Sequence, residues 1–208
     1  MRLRQSACRL AAGAASCFLL AVPAIAHAPS GDPDARAFYF GICEILQHPV
    51  HLLPIFCFGL WVGRRGDAQA VRAARSFILA QAAGIALGAC AVAVPWAPTC
   101  VLISMVVFGL ALALRLRGPG WVVVGSALFF GGCHGYVSAK GLSGTLMGTL
   151  GYGGGLLLVT GALLFYAFML AGRIKAFVWQ IALRVFGSWI AAGGLLLLAL
   201  ELRRVFPP

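Results

Sequence analysis

Apolar residues fall in long runs along this chain, and polar ones gather in the short intervals between them. Runs bounded by charges, proline or glycine predict helices near 38–63, 73–95, 98–115, 119–138, 144–171 and 177–200. Each can cross a hydrocarbon core of about 30 Å. Ahead of them, Arg2, Arg4 and Arg9 precede a shorter apolar run, Leu10 to Val22, which ends in Pro23-Ala24-Ile25-Ala26. A basic start, a short apolar centre and an A-x-A end make residues 1–26 a secretory signal peptide, cleaved after Ala26 to leave His27 first. The alternative is an uncleaved first membrane helix, against which the short run argues. The predicted fold class is an all-α integral membrane protein: a cleaved signal peptide, then a bundle of about six transmembrane helices over 27–208.

Composition narrows the class. Of 208 residues, 62% are hydrophobic and 10% charged, against about a quarter charged in soluble domains. A soluble globular domain, a disordered chain and a coiled coil are all excluded on that ground. Sixteen Lys and Arg against five Asp and Glu give a net charge of +11. In a soluble protein that excess suggests nucleic acid; here it lies in the connections between apolar runs, so the partner it implies is the lipid bilayer. Arg64, Arg65, Arg72 and Arg75, then Arg115 and Arg117, then Arg173 and Lys175 mark alternate connections as cytoplasmic. The other two connections carry no charge and Lys140, respectively. The mature N-terminus is then outside the cytoplasm of a bacterial inner membrane, and only Arg203 and Arg204 at the tail break the rule.

Ionisable residues at membrane depth are costly, so each is a functional candidate. The first span holds Glu44, His48 and His51, spaced four and three, which on a continuous helix share one face. The fourth holds His134. By the predicted topology all four fall toward the outer half of the membrane, with His27 outside it. Proline and glycine interrupt the same places: His48-Pro49 and Pro54, and Gly131-Gly132-Cys133-His134-Gly135. Broken membrane helices are common at transporter sites, and spans one and four begin two opposed three-span halves, although no sequence self-similarity accompanies that arrangement.

Imidazoles with one carboxylate suit a transition metal better than the all-oxygen shells of magnesium or calcium. The candidate metal ligands are His51, His48, Glu44 and His134, with His27 and Cys133 as possible auxiliaries. The bland alternative pairs Glu44 with a neighbouring His or with Arg36 and makes each His a packing residue. A third reading sets His51 and His134 as axial ligands of a haem.

His51-Leu52-Leu53 followed by Gly59-Leu60-Trp61 resembles the first-span signature of the HupE/UreJ family, HP-x-x-G-x-DH-L-L-x(5)-G-L-W. His134-Gly135 is similar to the start of a second family motif, FHGHAHG, in the fourth span. Val50 stands where the family has Asp, and Tyr136 and Ser138 where it has two further His. Family members are hydrogenase and urease accessory membrane proteins implicated in uptake of nickel, and in some cases cobalt. The resemblance implies a divalent-metal permease that supplies metalloenzyme maturation proteins.

Gly144, Gly148, Gly151 and Gly155 form a stripe on span five suited to close helix packing. A Cys90–Cys100 disulfide is possible between spans two and three. Trp61, Trp96, Trp121 and Tyr39 lie near span ends, as interfacial anchors do. No catalytic motif or cofactor fingerprint is recognisable, so an enzyme is the least supported class and no permanently bound cofactor is implied. Two readings remain: a metal permease, and a non-transporting accessory protein on the same scaffold.

Overall fold

A computed structural model describes residues 33–66, 68–142 and 145–205. The predicted signal peptide, His27 and Gly144 lie outside the described residues. Within them the chain is helical, without strands: α1 (Pro33–Gln47), α2 (Pro49–Gly63), α3 (Ala68–Ala89), α4 (Ala97–Ala113), α5 (Gly120–Ala139), α6 (Leu146–Arg173) and α7 (Phe177–Val205). Four of these, α3, α5, α6 and α7, are long and apolar enough to cross a membrane, and α1 with α2 makes a fifth, bent span. The remaining predicted span, the third, is α4, whose 17 residues reach about 25 Å at 1.5 Å per residue. Large apolar side chains cover the outside of the bundle, among them Trp189 and Leu79, about 70% exposed. That surface belongs against lipid.

The first span corrects the expectation of one continuous helix over 38–63. Pro49 restricts the residue before it to extended backbone, and His48 accordingly has φ −106° and ψ 97°. The chain turns by 76° there, and Pro49 then serves as a helix-starting residue for α2. Pro54 inside α2 has no N–H to offer the carbonyl one turn back, which loosens the same helix a second time.

Packing joins α1 and α2 to α6, α3 to α5, and α4 to α7. Glycine sits at every one of these seams. A Cβ on Gly84 would strike the Gly132 carbonyl, and one on Gly135 the Gln81 carbonyl, so α3 and α5 touch backbone to backbone. Gly41 and Gly155 do the same for α1 and α6, and Gly109 and Gly187 face each other between α4 and α7. Within the stripe on span five, Gly155 lies against the Phe38 carbonyl of α1. The N–H of Gly148 instead donates to Thr145 Oγ1 at 2.9 Å, capping the start of α6.

These seams obey an exchange rule. With α1 and α2 counted as one span, swapping the first three spans for the last three turns the α3–α5 seam into the α6–α1 seam and returns α4–α7 to itself. The packing of α2 on α4 has no such counterpart between α5 and α7.

Two helices end with a side-chain-bearing residue in the left-handed region where glycine is usual. Ala91 (φ 54°) closes α3, with its N–H donating to Gly88 O and that of Val92 to Leu87 O. Arg115 (φ 56°) closes α4 through the same pair of bonds, to Leu112 O and, from Leu116, to Ala111 O. Ala91→Gly removes a steric clash worth about 1 kcal/mol and leaves those bonds intact. Thermal unfolding of the detergent-solubilised protein is expected to shift upward; an unchanged or lower midpoint would show that the cap carries no strain.

Candidate functional site

The broken span delivers its polar residues to two places rather than one. Glu44 and His48 stay together: His48 Nδ1 donates to the Glu44 carbonyl at 2.8 Å and stands 3.6 Å from its carboxylate. The imidazole thereby closes the end of α1, where helical carbonyls lack donors. His48 is about half exposed. The predicted single face of Glu44, His48 and His51 is corrected by the break, because His51 belongs to the next helix and turns to His134, with its ring 6.4 Å from that of His48.

His51 is carried by α2 into the interior, where it meets His134 of α5. Their Nδ1 atoms are 2.8 Å apart; His51 is 3% exposed and His134 is fully enclosed. Behind His134 stands Ser104 of α4, a residue the sequence reading missed. Its hydroxyl is 2.6 Å from the Val101 carbonyl and 3.0 Å from His134 Nε2. These contacts assign the protons. A carbonyl only accepts, so Ser104 donates to Val101 and must accept from His134 Nε2–H. His134 Nδ1 is then an acceptor, and His51 donates to it from its own Nδ1. What remains is the Nε2 lone pair of His51, the free nitrogen of the chain, with the His48 ring 6.4 Å away centre to centre.

Under the exchange of halves the spans of His51 and His134 replace each other, and the bond joins the same atom of each ring. The pair thus sits where the two halves meet.

Below it lies an aromatic column. Phe77 packs 6.0 Å from His134, Phe58 5.1 Å from Phe77, and Phe108 4.9 Å from Phe58. Phe58 and Phe108 both touch Trp61, whose Nε1 donates to Leu116 O at 2.8 Å. Trp61 is therefore a buried tie to the α4–α5 connection and not the interfacial anchor its position near a span end suggested. Trp121, Trp96 and Tyr39 are exposed, as anchors are.

Other polar groups are buried but unsatisfied. Both side-chain atoms of Gln81, the hydroxyl of Thr160 and that of Ser138 are buried without a hydrogen-bond partner. Gln81 was legible as a lone amide within an apolar run; its enclosure was not. Cys133 makes its thiol contact with Cys100 rather than with the His pair. Cys90 and Cys100 are both free thiols, which corrects the suggested disulfide. Among the described residues no three of His, Cys, Asp and Glu stand together as a ready metal shell. Tyr136, at the position of a family His, donates no ligand but accepts the Val94 N–H at 3.0 Å.

Comparison with known proteins agrees with the motifs. No solved structure matches the chain. Protein HupE of Rhizobium leguminosarum bv. viciae is 29% identical over 186 residues, covering 86% of this chain and 93% of that protein. The family model described as HupE / UreJ protein matches residues 15–197, which take in the bent span, the His pair and every helix seam. The chain belongs to the HupE/UreJ family.

Proposed function

We propose that this protein is a permease for a divalent transition metal, nickel or cobalt, in a bacterial inner membrane, with its mature N-terminus outside. The observation that carries the reading is the buried His51–His134 pair, held where a broken helix meets the opposite half of the bundle. Discontinuous helices at the meeting of two halves are where secondary transporters bind cargo.

The geometry supports a cation site that forms when the His pair opens. Two nitrogens that share a tetrahedral ion at about 2.0–2.1 Å lie about 3.3 Å apart. Opening the 2.8 Å contact by about half an ångström thus converts a hydrogen bond into a pair of ligands once the His51 proton moves from Nδ1 to its free Nε2. Glu44 and His48, partly and half exposed on the approach, strip water from the arriving ion. The aromatic column from Phe77 to Trp61 closes the way to the basic end in this conformation. Cargo is released when the two halves move and that column parts.

Uptake of radioactive nickel at low external concentration, in cells lacking their own permeases, tests the reading. The intact protein is expected to exceed the empty vector, with His51→Ala abolishing uptake and Glu44→Ala reducing it by about tenfold at equal membrane abundance. No uptake by the intact protein would remove nickel from the proposal. A second reading, an accessory protein that does not transport, draws on Tyr136, whose structural bond occupies a family ligand position. It requires that His51→Ala leave hydrogenase or urease maturation unchanged.

A further inference from the structure

The basic end of the bundle holds an open cavity of about 570 Å³ that the proposed transport does not use. Arg64 and Arg65 enter it from the end of α2, Arg115 and Arg117 from the α4–α5 connection, and α6 and α7 close the wall. No carboxylate lines it among the described residues. The α4–α5 connection is fastened in place. Arg65 Nη1 donates to Gly118 O at 2.6 Å, Arg184 Nε to Ala113 O at 3.1 Å, and Trp61 to Leu116 O as noted. Arg115 is held there in its left-handed conformation.

Arg64 is the informative residue. Its Nη1 is buried without a hydrogen-bond partner, although a guanidinium stays charged at any physiological pH and a buried charged donor needs an acceptor. Burial, followed by the nearness of Arg115, Arg117 and Arg184, pushes it below the ordinary arginine range. Topology explains basic residues on one side of the membrane. It does not explain why those of separate connections converge on one cavity, nor why a charged donor is buried there without an acceptor.

We propose that this cavity binds a phosphate-bearing anion, with Arg64 as the inner donor and the exposed Arg115 and Arg117 at the rim. A phosphate offers several charged acceptors at once, and guanidinium forks match them in pairs. The anion has two sources: the headgroup of an acidic phospholipid, which basic pockets between membrane helices accept, or a soluble phosphate compound from the aqueous side. The proposal does not depend on the cargo of the His pair.

The test uses the full chain purified in a non-ionic detergent. Native mass spectrometry counts retained dioleoylphosphatidylglycerol against zwitterionic dioleoylphosphatidylcholine, and calorimetry measures inorganic pyrophosphate. Arg64→Gln is expected to weaken binding about tenfold or more, and Arg117→Gln by a smaller factor. Lys140→Gln, which removes the same charge at the opposite end, is expected to leave binding unchanged. Retention of phosphatidylglycerol alone identifies a headgroup, binding of pyrophosphate alone a soluble anion, and binding of both a site that reads only the phosphate. The proposal is overturned if neither probe binds, or if all three variants keep or lose binding equally. Should Arg64→Gln not fold, Arg117→Gln decides, because its side chain is exposed.

Discussion

Exchanging His134 for alanine is expected to bring nickel uptake down to that of cells without the protein, and Ser104→Ala to lower it by about 10- to 100-fold. The two exchanges act on the same imidazole. Removing His134 deletes one of the paired imidazoles and leaves His51 without the acceptor for its Nδ1 proton. It also opens a void in a wholly enclosed place, which costs a few kcal/mol of stability. Lost uptake with lost protein would then decide nothing, so Ser104→Ala supplies the control. It removes one oxygen, keeps the helix, and only releases His134 Nε2 from the partner that fixes its proton. A residue that merely fills space would tolerate this change. Full uptake by Ser104→Ala at normal abundance would mean that the proton assignment has no bearing on transport.

The second large effect is on folding. Gly135→Ala and Gly84→Ala are each expected to cost about 3 kcal/mol or more and to strip the protein from the membrane fraction. The added methyl has nowhere to go, since at both places it meets a backbone carbonyl of the facing helix and not the end of a movable side chain. Association of helices in lipid rests on such close approach, because burial of apolar surface gains little there. Gly125→Ala, on the same helix as Gly135 but with open space around it, is expected instead to stabilise by about 0.5–1 kcal/mol, the ordinary gain of alanine over glycine in a helix. Abundance in membranes, read by immunoblot alongside detergent-solubilised melting, separates the two. Equal behaviour of Gly125→Ala and Gly135→Ala would show that the α3–α5 seam is not packed as described.

These seams and the His pair also mark how far the sequence could be read. The apolar runs identified five of the seven helices as separate segments and merged the first two, with ends within a few residues for most, because a helix is the structure that satisfies its own backbone in lipid. The resemblance carried by His51-Leu52-Leu53, Gly59-Leu60-Trp61 and His134-Gly135 gave the family that the whole-chain comparison bears out. His48-Pro49 was visible as an irregularity, yet its consequence was misread. The spacing of Glu44, His48 and His51 implies a shared face only while the helix continues, and the proline ended it.

What the sequence by itself determined is therefore everything set by neighbours along the chain: helix, membrane, charge asymmetry, and the identity of the few polar residues inside. Only the tertiary structure decided which of those residues meet. His51 and His134 lie 83 positions apart, and Ser104 was one serine among many until α4 carried it against the second imidazole. The same holds for Arg64, whose charge was legible as topology but whose buried Nη1 beside a shared cavity depends on the meeting of separate connections. Local spacing encodes a helix face; contact between faces is fixed by where glycine lets backbones close, and that is a property of the packed bundle alone.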